Sequence, residues 1–226
     1  MERFDGWIAG LGTPGGLRVV IGHWPTSPLG AFTDVMVERP DGERVLLAPT
    51  AEVAALVAST YTFDRVEVVP VSVTDEAGTG APPSGEAGTG APQSGAGGSG
   101  AAPSPWLVVA GPLEARVVVG QRTGLGRALR AVPDRLAASR RFTAVTDPVA
   151  RALLHGVRTR GSAGAGRVEH YGATDVHGIV DAGTTWDGEP LGGLAPVDPP
   201  VRFGFGSTPR RPAVTDVVTT IVLPRD

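Results

Sequence analysis

Asp175 and His177 stand two residues apart in EHYGATDVHG (169–178). Side chains two apart in an extended chain share a face. Asp175 can therefore orient His177 and charge-stabilise it as a general base. His170, Asp175 and His177 together also offer two imidazoles and a carboxylate, a set that suits Fe(II), Mn(II) or Zn(II). The usual mononuclear-iron order, His-x-Asp/Glu with a distant second His, is reversed here, and no metal site is assigned. The third reading makes these residues ordinary polar groups at a strand edge. Just upstream lies GSAGAG (161–166), flanked by Arg158, Arg160 and Arg167. Successive backbone N–H groups in such a turn can cradle an anion, and arginines beside it add charge-assisted hydrogen bonds. With 167–171 extended, Arg167, Glu169 and Tyr171 share one face and His170 points the other way. Arg158, Arg160, Arg167, His170 and Tyr171 are thus the candidate ligand-binding residues, and Asp175 and His177 the candidate catalytic pair.

Other chemistries are excluded by residue type. The 226-residue chain has no cysteine, so thiolate catalysis, disulfides and cysteine-ligated metals are absent. It has no lysine, so Schiff bases and a Walker lysine are absent as well. GSAGAG follows an expected helix and precedes a strand, whereas a phosphate loop follows a strand and opens a helix. No G-x-S-x-G setting surrounds Ser162 or Ser207. His23 beside Trp24 reads as a packed residue, and His155 as a cation in the last turn of a helix. Nothing in the sequence names a cofactor or an oligomeric state.

Charge is unevenly spread. Residues 116–167 carry 11 arginines against two acids, Asp134 and Asp147, while the whole chain has a net charge of −3. Either the acidic flanks fold over this section and pair with it, or it presents an anion-binding face. Phe142 is its one aromatic residue, too few for stacking on nucleic acid, and no nucleic-acid partner is expected. No apolar run approaches the ~18 residues of a membrane span. The N-terminus is acidic and glycine-broken, unlike a signal peptide, so a cytoplasmic protein is expected.

These groups must be positioned by strands. LRVVIGHW (17–24), TDVMVER (33–39), ERVLLA (43–48), RVEVVPVSV (65–73), WLVVAG (106–111) and LEARVVVGQR (113–122) are rich in β-branched residues and bounded by turn formers. So are RVEHYGA (167–173), HGIVDAGTTWDG (177–188), VRFGFG (201–206) and VTDVVTTIVL (214–223). Pro40-Asp41-Gly42 predicts a hairpin over 33–48. Helices are predicted after the Thr50 cap (AEVAALVASTY), at LGRALRAV (125–132) and from Asp147-Pro148 through VARALLHGV. No regular βαβα alternation appears. The expected fold is mainly β (α+β), an antiparallel β-barrel or closed sandwich with two or three short helices. Residues 1–74 and 105–226 make one domain. Between them, 75–104 carries the near-repeated decamers EAGTGAPPSG and EAGTGAPQSG, a Gly/Pro/Ser composition that cannot offset its ordering entropy and predicts a flexible insertion.

The run GWIAGLGTPGGLRVVIGHWPTSPLGAFTDVMVERPDGERVLLAP (6–49), with GVRTRGSAGAGRVEHYGATDVHGIVDAG and PPVRFGFGSTP, resembles a family of uncharacterised actinobacterial proteins. That resemblance brings no activity with it. SPLGAFTDV (27–35) is similar to the S-P-x-G-x-[YF]-x-E segment of acetoacetate decarboxylase-like β-barrels. Those decarboxylases use a Schiff-base lysine, which this chain lacks, so the likeness implies a related barrel with a different or absent activity.

Three functional expectations follow from the residues. The first is a barrel whose pocket binds a small, partly apolar anion through arginines. The second is an enzyme using Asp175 and His177 for acid–base or metal-assisted chemistry. The third is a protein–protein interaction module whose basic section docks an acidic partner.

Overall fold

The structure, a computed structural model, describes residues 2–75, 105–131, 160–162, 168–204 and 208–222, with the backbone alone at 160–162, 168–171 and 221–222. The strands are β1 Glu2–Gly12, β2 Arg18–Thr26, β3 Phe32–Glu38, β4 Arg44–Ala48, β5 Arg65–Val68, β6 Val71–Asp75, β7 Trp106–Ala110, β8 Leu113–Arg122, β9 Arg160–Ser162, β10 Val168–Trp186, β11 Glu189–Gly193 and β12 Ala213–Val222. The helices among the described residues are α1 Ala51–Ala58 and α2 Gly124–Arg130. All twelve strands of the described residues join one sheet, ordered β5-β4-β3-β2-β1-β12-β10-β8-β7-β6, with β9 and β11 pairing β10. The sheet curls until the edge strand β6 packs against β3, giving a half-barrel.

The mainly β character expected from the sequence is what the chain adopts, but the sheet is mixed and the barrel is not closed. The parallel pair is β4 with β5. A parallel neighbour needs a crossover of a dozen or more residues, and α1 supplies it. Thr50 caps α1, its hydroxyl accepting from Val53 N at 3.2 Å. Val53, Ala54 and Val57 face the sheet at helical spacing.

The two sides of the sheet carry separate cores. Inside the curl, Trp7, Leu11, Val19, Ile21, Val35, Val37 and Leu47 meet Trp106, Val108, Leu113 and Val117. On the outer side, Phe4, Ile8, Val20, Trp24, Met36 and Leu46 lie under Val53, Val57 and Phe203. Strands covered on both faces read as continuous apolar runs, without alternation; every residue of β3 is buried.

The 33–48 hairpin forms as its turn residues require. Gly42 takes φ +92°, and Arg39 N–H donates to Glu43 O at 2.9 Å. Elsewhere the boundaries move. The 65–73 segment divides at Val69-Pro70, because proline has no N–H for a ladder. Its first half runs beside β4 and its second beside β7. The two strands read at 167–173 and 177–188 are one strand, β10, whose register slips between Ala173 and Asp175 let it bend without ending. Residues 201–204 form no strand; Phe203 plugs the outer core there. Strand β1 lies in a glycine-rich stretch to which no strand was assigned. At Gly6 and Gly12 a Cβ would strike the carbonyls of His23 and Pro196, so close backbone approach requires those glycines. The helix predicted from Asp147 and most of the 75–104 insertion fall outside the described residues. No described helix is long and apolar enough to cross a membrane.

A buried ion cluster ties the 199–204 segment to the sheet. Glu38 is fully buried and receives Arg18 Nη2 at 3.1 Å, Arg202 Nε at 2.7 Å and Arg202 N–H at 2.7 Å. Arg18 also donates to Pro199 O at 3.1 Å.

Candidate functional site

The structure brings Asp175 and His177 together, as their spacing requires. His177 Nε2 lies 3.5 Å from Asp175 Oδ2, and His177 Nδ1 lies 3.3 Å from the carbonyl of Gly120. The stronger partner of Asp175 is a residue the sequence did not single out. Arg122 Nε approaches both carboxylate oxygens, at 2.7 and 2.9 Å, and Val176 N–H donates to Oδ1 at 2.8 Å. Asp175 is 1% exposed. Across β10–β12 it opposes Asp216, whose pKa is raised by burial first and by the charge of Asp175 second.

Helix α2 is built onto this cluster. Thr123 accepts from Gly126 N–H at 3.0 Å and donates its hydroxyl to Val176 O at 3.1 Å. A Cβ at Gly126 would collide with Val176 O, the Asp175 carboxylate and the Arg122 chain, so glycine admits the helix to this distance. Asp175 thus lies beside His177, while its hydrogen bonds, to Arg122 and to Val176 N–H, clasp β8 to β10 under α2.

Of the other candidates, Arg160, His170 and Tyr171 are described by their backbone alone. His170 opposes Arg160 on β9 and Thr220 on β12. By the register on β12, where His170 and Asp175 pair Thr220 and Asp216 and Tyr171 and His177 pair Thr219 and Val214, the backbones stand about four and five strand residues apart, ~13 Å and ~17 Å. That backbone separation speaks against His170, Asp175 and His177 as one ligand set; the side chain of His170 lies outside the described residues. Among the described residues no group of three His, Cys, Asp or Glu could hold a metal. Arg158 and Arg167, with most of the GSAGAG turn, fall outside the described residues. Of the described arginines, Arg116 faces Asp181 at 3.9 Å, Arg122 pairs with Asp175, and Arg210 pairs with Asp198 at 2.6 Å. His23 is packed as expected, stacked on Trp7 at 5.0 Å with Nδ1 2.7 Å from Thr33 Oγ1, and burial lowers its pKa.

A second arrangement sits on the outer face, beneath the C-terminal end of α1. Phe4, Ile8, Val20, Trp24, Phe32 and Met36 from the sheet, with Leu56, Val57, Thr60 and Tyr61 from the helix and its exit, line a cleft of about 50 Å³. Asp34 opens into it at 4% exposure. Its Oδ1 accepts from Trp24 Nε1 at 3.1 Å, and no cation pairs with it among the described residues. Burial, partly offset by the Trp24 hydrogen bond, pushes its pKa up to about 7. A Cβ at Gly22 would fall 2.7 Å from Asp34 Oδ1 and 2.8 Å from Trp24 Nε1, so the bare backbone there makes room for the pair. Thr219, paired with Phe4 across β1–β12, lines the same cleft. Its Oγ1 is buried with no hydrogen-bond partner among the described residues.

The sequence reading assigns Asp34 and Thr219 no part in a site. The available signal was Phe32-Thr33-Asp34-Val35-Met36: period two sets Asp34 between Phe32 and Met36 on one strand face, an acid among apolar neighbours. Thr219 left none, because threonine is ordinary in a strand. Compared with known proteins, the chain matches no family model, no curated protein and no solved structure.

Proposed function

We propose that the protein binds a small, mainly apolar ligand in the cleft beneath α1. The observation that carries this reading is Asp34: a buried carboxyl without a counter-charge, opening on an aromatic-walled cavity. Burying a polar group without full hydrogen bonding is destabilising by about 1–3 kcal/mol. Packing alone would favour an apolar residue at this position. The orphan hydroxyl of Thr219 is a second such cost in the same cleft. A few convergent polar groups in an otherwise apolar concavity are the usual composition of a ligand site.

Size narrows the guest. At ~10–15 Å³ for each water-sized atom, about 50 Å³ takes about four heavy atoms. A short alkyl compound, or the end of a longer molecule, fits. The walls do not favour the anion suggested by the arginine count, because among the described residues the one charged side chain lining the cleft is itself an acid.

Met36 lines the cleft, and the chain has one other methionine, Met1. The test is NMR of methyl-¹³C-methionine protein, titrated with xenon, n-butanol, n-butylammonium and butyrate. Saturable movement of the Met36 methyl signal by at least one probe is expected. It should be abolished by Leu56→Trp, which fills the cleft from the helical wall. No movement with any probe overturns the reading.

A further inference from the structure

We infer that the cleft selects a cationic guest, a short primary alkylammonium whose charged head meets the Asp34 carboxylate and whose chain lies along Trp24 and Phe4. This inference rests on the cleft being a binding site and names the class of ligand it takes.

Three observations converge on it. First, among the described residues Asp34 lacks the cationic partner that the other buried acids have: Glu38 holds two arginines and Asp175 holds one, whereas Asp34 receives neutral N–H groups, from Trp24 and from its own backbone. A carboxylate has about four acceptor sites, so an indole and a backbone N–H leave acceptor capacity open and the charge unpaired. Second, the wall beside it is aromatic. Trp24 lies edge-on to Phe4 at 5.9 Å and tilted against Phe32 at 6.5 Å. Aromatic faces attract an ammonium group, and more so when it is desolvated. Third, the cleft lacks any described cation of its own to repel such a guest. Tyr61 is the other titratable side chain among the described residues that line it. From β2, the strand beside Asp34, Gly22 and Trp24 face it and carry no charge.

An ammonium head supplies what this site lacks: a full positive charge, several N–H donors, and a size within the cleft. A neutral alcohol supplies one donor and no charge. A carboxylate of the same length would place like charges together in a low-dielectric cavity.

The discriminating experiment compares n-butylammonium, n-butanol and butyrate on the whole protein, following the Met36 methyl signal at pH 8 and pH 5. Butylammonium is expected to bind at least tenfold more tightly than butanol at pH 8, with butyrate weakest. At pH 5 its affinity should fall by on the order of 100-fold. A carboxyl that titrates near pH 7 is then about 1% ionised, while the amine stays protonated. Asp34→Asn should remove at least tenfold of the butylammonium affinity and leave butanol within about threefold. Equal binding of butanol and butylammonium, tighter butyrate, or a flat pH response in the unmodified protein overturns the inference while leaving the cleft a binding site. Silence from all three probes and xenon overturns both. The pH arm needs no variant, so the inference stays testable even if the substitution impairs folding.

Discussion

Replacing Asp34 by asparagine removes a charge that the fold must desolvate, and the effect has a definite sign with pH. In the folded protein the carboxyl titrates at about 7, against an ordinary value of 3.8. Between those values the folded chain holds a proton that the unfolded chain has released, so this group makes stability fall as pH rises. The penalty is absent below about pH 4 and fully developed above about pH 7. At ~1.4 kcal/mol for each tenfold in proton affinity, the span is worth about 4 kcal/mol. Asparagine keeps an acceptor for Trp24 Nε1 and carries no charge. Its added N–H₂ donors cost ~1–3 kcal/mol if unsatisfied, but that cost is independent of pH and cancels in a difference of slopes. Urea unfolding of both proteins at pH 4, 5, 6, 7 and 8 measures it. The stability of Asp34→Asn relative to the parent should rise by about 4 kcal/mol from pH 4 to pH 8, with most of the change before pH 7. A difference that stays within ~0.5 kcal/mol, or that shrinks with rising pH, refutes the account of Asp34 as an uncompensated buried acid.

Further expected outcomes concern the supports of the site. Glu38→Ala leaves Arg18 buried without its carboxylate and should cost about 3–5 kcal/mol in urea unfolding, as for other broken buried pairs. Arg122→Ala strips Asp175 of its main partner; hydrogen exchange should quicken in 123–130, where α2 rests on that cluster, while the amides of 35–37 stay protected. Gly42→Ala places a Cβ at φ +92° and should cost about 1–2 kcal/mol by thermal unfolding, without altering ligand shifts at Met36. Gly22→Ala should cost more, about 1–3 kcal/mol, and should disturb the Trp24 indole N–H resonance, because its Cβ enters the Asp34–Trp24 contact.

Local chemistry was legible wherever it was short-range. The Pro40-Asp41-Gly42 turn and the Thr50 cap are dictated by dihedral preference and neighbouring residues and form where the sequence places them, and so do the strands of 17–48 and 106–122. Asp175 and His177 meet because both ride one strand. Legibility ended where meaning depended on residues far apart. Strand β1 was hidden because its glycines are selected by backbones that arrive from residues 23 and 196. Arg122 meets Asp175 only because β8 pairs with β10, 53 positions later.

Composition and period alone determined that this chain would be mainly β, with a low-complexity insertion, no thiol and no lysine side chain. Side-chain type and backbone preference suffice for those conclusions. Which acid is left without a counter-charge was decided only by the tertiary structure. Glu38, Asp175 and Asp34 are alike in sequence, each a carboxylate in a strand. Their difference lies in what the curled sheet and α1 bring beside them: two arginines, one arginine, or a tryptophan and a cleft.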